Sequence, residues 1–265
     1  MAGAPPQTLT HTLSLGEGES VLLDWTPPAA PDGPWAVFVH GLGSNRRGDK
    51  ALYFTQRFAA NGWGFMTVDL RGHGDSGGGM HGLTLSRCLA DLAAALDWVR
   101  GQIPGAPPPV LIGSSMGGAV AAWQHIAHPK ETGPLVFIAP SLQFPGSLAW
   151  KLGPAALEAW RREGARVFES DWIRLEIGFS MMEDALDYDP QRLLKGFAAP
   201  ALIFHGMKDD AVDWRSSLTF VEDCPYPRLE LVLLKHGDHR LTDHKAFMFD
   251  TLWCWLEGLK EGGGG

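Results

Sequence analysis

Three side chains have the types needed for covalent chemistry in concert: the hydroxyl of Ser115, the carboxylate of Asp209 and the imidazole of His239. An imidazole titrates near neutrality, so it can take a serine proton as the oxygen attacks a carbonyl and return it to a leaving group. A carboxylate beside such a ring can hold its tautomer and stabilise the imidazolium. Ser115 stands in Gly113-Ser114-Ser115-Met116-Gly117-Gly118, directly after the apolar run Val110–Ile112. Small residues two positions either side of the serine suit a sharp strand-to-helix turn, where a side chain would collide with the backbone that lifts the hydroxyl out of a sheet. There the oxygen stands near a helix N-terminus, whose free N–H groups and positive dipole end favour a developing oxyanion. Glycine-rich turns with this spacing also occur without function. The strand before and the helix after give this one its weight.

The elements that must position these groups follow from periodicity. Leu9 to Trp25 reads as two short antiparallel strands joined at Gly16-Glu17-Gly18. Continuous apolar runs at Trp35–His40, Gly64–Asp69, Val110–Ile112 and Pro134–Ala139 have the length and character of parallel strands buried on both faces. Helical patterns at Lys50–Asn61, Thr84–Arg100 and Gly117–Ala127 separate them. Strand and helix alternating in this way imply a parallel sheet with helices on both sides. The rhythm breaks from Ser141 to about Pro190, where Leu148–Arg162, Asp171–Phe179 and Met181–Leu186 read as short helices of a cap. It resumes with strand Ala201–His205, helix Trp214–Glu222, strand Leu229–Leu234 and a helix from Asp243 to about Leu259. The expected organisation is an α/β core over 1–140 and 191–260, a helical cap insertion over 141–190, and a disordered tail at 261–265.

In open parallel sheets the loops at the carboxyl ends of strands form the site. Here those loops carry His40-Gly41-Leu42-Gly43, Ser115-Met116, His205-Gly206-Met207-Lys208-Asp209-Asp210 and His236-Gly237-Asp238-His239. Serine, acid and histidine therefore come in that chain order, each just after a strand. With these stretches, and with Asp69-Leu70-Arg71-Gly72-His73-Gly74-Asp75-Ser76, the chain resembles the α/β-hydrolase superfamily over nearly its whole length. A narrower resemblance, to the palmitoyl-protein thioesterase and acyl-glucuronide esterase branch, rests on Gly48-Asp49-Lys50-Ala51, Gly113–Gly118, His205–Trp214 and Leu234–Arg240. That branch usually has proline where this chain has Asp213, a departure beside the acid loop.

The resemblance implies acyl transfer to Ser115 and then to water, with His239 as general base and Asp209 as its partner. Asp210 is the alternative acid, and the H-G-x-x-D spacing favours Asp209. The backbone N–H groups of Leu42 and Met116 would form the oxyanion hole. His40, His205 and His73 read as loop histidines bonded to backbone, Asp75 as a turn former, and Glu17, Glu19 and Asp24 as solvated surface. The cluster His236, Asp238, His239, Asp243 and His244 has no zinc or calcium spacing, so neither a metal nor a cofactor is implied. Trp150, Trp160, Trp172, Ile177, Phe179, Met181 and Met182 are first what a cap needs to pack down. Some would also line an acyl pocket.

Composition bounds the rest. The 265 residues are 45% hydrophobic and 20% charged with a formal charge of −8, which disfavours nucleic acid or an anionic membrane as the main partner. Cys88, Cys224 and Cys254 are odd in number and widely spaced, and read as buried thiols in a reducing compartment. No lysine or arginine precedes Arg46, and the longest apolar runs, such as Leu135–Ala139, fall far short of a membrane span. The expected setting is the cytoplasm, and the expected partner a small acyl ester or thioester or an acylated protein. The same three side chains would also serve a carbon–carbon bond hydrolase or an acyltransferase, and a non-enzymatic ligand binder on this fold is the third reading.

Overall fold

The computed structural model describes residues 7–16, 18–169 and 173–261. Eight strands form one sheet in the order β1-β2-β4-β3-β5-β6-β9-β10. They are β1 (Leu9–Gly16), β2 (Glu19–Thr26), β3 (Trp35–Val39), β4 (Gly64–Asp69), β5 (Val110–Ser114), β6 (Leu135–Ile138), β9 (Ala201–Gly206) and β10 (Leu229–Leu234). β1–β2 and β2–β4 are antiparallel, and every other neighbouring pair is parallel. The parallel order puts the ends of β3, β5, β6, β9 and β10 on one rim.

Side chains alternate through the sheet and fill a core on each face. On one face, Phe38, Phe65, Ile112, Val136 and Phe204 meet α1 (Asp49–Ala60) and α8 (Lys245–Glu261) through Phe54, Phe58, Met248 and Phe249. On the other, Val37, Met66, Leu111, Phe137 and Ile203 meet α2 (Leu85–Gln102), α3 (Met116–Ala127), α6 (Pro190–Gly196) and α7 (Arg215–Asp223). Local signals mark the helix starts. The Thr84 hydroxyl accepts the Arg87 N–H at 3.1 Å, and the Asp189 carboxylate accepts the Gln191 N–H at 2.9 Å just ahead of Pro190.

Between β6 and β9 the chain adds α4 (Gly146–Glu163), a hairpin of β7 (Ala165–Glu169) and β8 (Arg174–Gly178), and the short helix α5 (Ser180–Asp184). The hairpin corrects the expectation of helices alone. Leu175 and Ile177 alternate with Arg174 and Glu176 at the period of a strand, whereas in the sequence Trp172, Leu175 and Phe179, spaced i, i+3 and i+7, also fit one helical face. α4 is two segments meeting at Gly153, whose φ of 74° and ψ of 167° leave the helix just before Pro154. Residues 170–172 and 262–265, and with them most of the expected tail, lie outside the described residues, as does Glu17. Among the described residues, no helix is long and apolar enough to cross a membrane.

The acidic side chains expected on the surface are engaged instead. Asp24 is buried, accepts the Thr10 hydroxyl at 2.7 Å, and pairs with Arg46 at 3.3 Å and Arg47 at 2.9 Å. Glu19 bridges Arg71 and Arg87, each at 2.5 Å. Arg46 is itself buried and also pairs with buried Asp69 and, at 2.9 Å, with Asp75. One guanidinium thereby ties the loop after β3 to β2, β4 and the loop after β4. Cys88 and Cys224 are buried free thiols, whereas Cys254 is exposed on α8.

Breaking such a buried pair strands a charge away from water, at about 3–5 kcal/mol. Asp69→Ala is expected to lower stability in urea by that amount. An unchanged unfolding midpoint would show that the Arg46 network does not hold this loop.

Candidate active site

The chain reverses sharply at Ser115, between β5 and α3. Its backbone sits at φ 53°, ψ −118°, a conformation that costs about 1–3 kcal/mol for a residue with a side chain. Its neighbours hold it there. The Ser115 N–H donates to the Ile138 carbonyl at 3.0 Å, and its carbonyl accepts from Gly118 at 2.9 Å and Ser141 at 3.0 Å. A Cβ on Gly117 would run into the Val39 and His40 carbonyls, and one on Gly113 into the Gly117 carbonyl. Both glycines are needed for close approach.

At this turn three of the residues picked out by the sequence meet. His239 Nε2 lies 3.0 Å from Ser115 Oγ, and His239 Nδ1 lies 2.7 Å from Asp209 Oδ2. Asp210 is exposed and lines the cleft beside them, so of the two candidate acids it is Asp209 that reaches the imidazole. Asp209 is fully enclosed, and its Oδ1 accepts the N–H groups of Ala211 at 2.9 Å and Val212 at 2.8 Å. Burial opposes its charge, but hydrogen bonds from His205 and His239 outweigh this and hold the carboxyl well below the usual carboxylate range. The His239 loop is braced by Asp238, whose Oδ1 accepts the Leu241 N–H at 2.8 Å, and by Lys50, whose ammonium donates to the Arg240 carbonyl at 2.5 Å. Asp213 accepts the Arg215 N–H at 3.1 Å at the start of α7, a bond that the branch's usual side chain at this position, proline, cannot make.

These groups lie in a cleft of about 960 Å³ across the rim of the sheet. Toward α6 and α7 its wall carries the apolar side chains Leu142, Phe144, Leu148, Leu193 and Phe220, with polar Gln191, Thr219 and Asp223 among them. Toward the start of α1 it is polar, with Ser44, Asn45, Asp49, Lys50 and Asp238. Burial, with the nearby Arg240 charge, pushes the Lys50 ammonium down to about 8. Leu42 and Met116 line the same cleft, and Met116 opens α3, where the first N–H groups lack intrahelical acceptors.

The expected pocket residues divide differently. Among the described ones only Trp150 is on the cleft wall, and it is 86% exposed. Trp160, Ile177 and Met181 are fully buried, and Phe179 and Met182 pack with them, away from the lining. They hold the inserted segment together: Trp160 Nε1 donates to the Ile177 carbonyl at 2.9 Å, and its ring meets Phe168 and Phe179 edge-on. Trp172 lies outside the described residues. Leu142 and Phe144 were within reach of the strand-end rule, whereas Leu193 and Phe220 come from helices with no motif to mark them.

Residues 34–189 match Hydrolase_4, described as serine aminopeptidase, S33, over more than half of the chain. The chain belongs to this α/β-hydrolase family. It is 27% identical over 229 residues to the mouse palmitoyl-protein thioesterase ABHD10, mitochondrial, covering 85% of this chain and 75% of that one. Monoacylglycerol lipase of Mycolicibacterium smegmatis is 26% identical, with 93% and 96% covered. Among solved structures, a putative hydrolase from Agrobacterium vitis S4 superposes with a TM-score of 0.81 at 28% identity, covering 95% of this chain and 99% of that one.

Beneath the loop after β3, the buried His40 bonds backbone as expected. Its Nδ1–H donates to the Gly41 carbonyl at 2.8 Å, and Nε2 accepts the Leu70 N–H at 3.2 Å, so the ring is neutral. Burial, reinforced by the His73 ring 4.8 Å away, pushes it down to about 3. A histidine kept neutral when folded but free to protonate when unfolded removes stability as pH falls from 6.5 toward 3. At pH 5 the loss from His40 alone is about 2 kcal/mol. Asp209, whose carboxyl is held below the ordinary range, adds stability at and above that range and loses it only as pH falls further, so it does not enter the change between pH 7 and pH 5. Urea unfolding at pH 7 and pH 5 should show this drop, with a shallower one in His40→Asn. A slope that His40→Asn leaves unchanged would contradict it.

Proposed function

We propose that this chain is a serine hydrolase that cleaves carboxylic esters or thioesters through an acyl-enzyme on Ser115. The observation that carries this reading is the unbroken hydrogen-bond path from Ser115 Oγ through His239 to Asp209. His239 Nε2 takes the hydroxyl proton as Oγ attacks the substrate carbonyl. The tetrahedral oxyanion that forms is met by the N–H groups of Leu42 and Met116, about 3 kcal/mol for each donor. The imidazolium, stabilised by ionised Asp209, passes its proton to the departing alcohol or thiol. Water then enters, gives its proton to His239 and attacks the ester carbon, and collapse of the second intermediate returns the proton to Ser115 and frees the acid.

The two halves of the cleft support an assignment of substrate parts. The acyl chain lies along Leu142, Leu148 and Phe220, and the leaving group lies toward Asn45 and Lys50. Residues 141–190 act as a cap between core segments 1–140 and 191–260, and Trp150 is the one cap aromatic of the expected set that we retain as a substrate contact. The thioester reading gains from the mouse relative's name and the ester reading from the mycobacterial one. The substrate is a small acyl ester or thioester, or an acylated protein. Two buried thiols and one exposed thiol, none of them paired, support a reducing compartment.

Hydrolysis of p-nitrophenyl butyrate and octanoate tests the reaction, with fluorophosphonate labelling as a second readout. Ser115→Ala is expected to abolish both, and Asp209→Asn to lower kcat by about ten-thousand-fold. Undiminished turnover in Ser115→Ala would end this reading.

A further inference from the structure

Asp209 carries a second imidazole that no step of acyl transfer uses. His205, near the end of β9, is completely buried. Its Nε2 lies 3.1 Å from Asp209 Oδ2 and 3.2 Å from the Val212 carbonyl. Both neighbours are acceptors, so Nε2 bears the ring proton. Nδ1 lies 2.7 Å from Ser217 Oγ on α7. In a neutral ring the proton on Nε2 leaves Nδ1 as the acceptor, so the Ser217 hydroxyl donates there and fixes the tautomer. Oδ2 of Asp209 thus accepts from two imidazoles and Oδ1 from two amides, which fills the four acceptor sites of the carboxylate.

We propose that His205 is a positioning residue for the Asp209–His239 pair, with Ser217 setting the tautomer that lets it serve. The proposal rests on the acyl-transfer role given to those two residues above. His205 does two things. It stops the carboxylate from rotating away from His239 Nδ1. It also draws on the negative charge that Oδ2 offers to His239, moderating how strongly the imidazolium is stabilised. Without that donor the base would take up its proton at higher pH, and the acidic limb of the rate profile would move up. The other charged groups around the pair are Lys208, Asp210, Asp238 and Arg240 on the two loops, Asp49 and Lys50 on α1, Lys151 on α4, whose ammonium donates to the Ala211 carbonyl, and the Asp213–Arg215 pair at the start of α7. All stay in place in the variants below.

The test is steady-state hydrolysis of p-nitrophenyl butyrate from pH 5 to pH 9 by the full chain, with melting temperatures measured alongside. His205→Leu is expected to lose about 10–100-fold in kcat with KM little changed, and to move the acidic midpoint of kcat/KM upward. His205→Gln keeps an N–H at similar reach and is expected to recover most of the rate and return the midpoint. Ser217→Ala frees the ring to flip and turn a lone pair toward the carboxylate, so it is expected to fall between. Wild-type kcat and midpoint in both His205→Leu and Ser217→Ala would overturn the role. So would a loss in His205→Leu that follows its melting temperature, leaves the midpoint in place and is not recovered by glutamine. If His205→Leu does not fold, an unaffected Ser217→Ala overturns it alone. An inactive wild-type protein overturns the proposed reaction and this role with it, whereas an active wild type with unaffected variants overturns only the role of His205.

Discussion

A strained backbone at Ser115 is held by three hydrogen bonds and two bare glycines, and the geometry of the site hangs on it. The turn would relax by rotating its φ out of the positive range, and the hydroxyl would then swing away from His239 Nε2. It does not, because the Ile138 carbonyl on β6 and the N–H groups of Gly118 and Ser141 already take the serine's backbone. Strain of this kind persists only where the surroundings over-determine it. The bond from Ser141 also ties the start of the segment inserted after β6 to the serine itself. The loop that brings Leu142 and Phe144 to the cleft is therefore placed by the same atoms that place the nucleophile.

The loop carrying Leu42 is fixed by different means. Arg46 in that loop reaches Asp24 on β2, Asp69 at the end of β4 and Asp75 beyond it, and its own N–H donates to Asp69 Oδ1 at 2.5 Å. Buried ion networks seldom add more stability than well-packed apolar residues would. Direction is what this network adds. Apolar contacts would let the loop slide, whereas a planar guanidinium ion-paired with carboxylates on three segments admits one register. Arg71 does the same a short way off, joining Glu19 on β2 and Asp91 on α2. Asp75 and Glu19, which look like loop and surface residues in the sequence, are anchors in this scheme.

What was legible in the sequence was whatever chain order and element ends could carry. Ser115, Asp209 and His239 were each visible as a reactive type just past a strand, and their meeting follows from a parallel sheet having one carboxyl rim. The choice of Asp209 over Asp210 followed from spacing, and the alternating strands and helices fixed the layers. Contacts between distant side chains left no such mark. His205 looked like a turn histidine because nothing in a linear reading shows that its ring folds back on Asp209 four residues later, with Ser217 behind it. Asp24 looked solvated because its partners, Arg46 and Arg47, are more than twenty residues away. The hairpin at Ala165–Gly178 reads as helix in the sequence because Phe168, Trp172, Leu175 and Phe179 recur at helical spacing while only the short run from Arg174 to Gly178 alternates as a strand does.

The apolar half of the cleft follows from the need of the inserted segment to fold. A connection of some sixty residues between β6 and β9 cannot lie on the rim as bare loop, because its backbone groups need partners and its apolar side chains need cover. It forms its own small core, with Trp160 at the centre and Ile177, Met181 and Phe168 around it, and these side chains are spent on cohesion. Residues at the margin of that core, Leu148 and Trp150, are left facing the rim. On the opposite side no insertion intervenes and the start of α1 meets the rim directly. A helix start is polar by construction, with unpaired N–H groups and, here, Asp49 and Lys50. The cleft therefore has an apolar patch at the margin of the inserted segment and a polar edge at the start of α1 because different kinds of structure border it, and a substrate with a lipophilic acyl part and a hydrophilic leaving part matches that contrast.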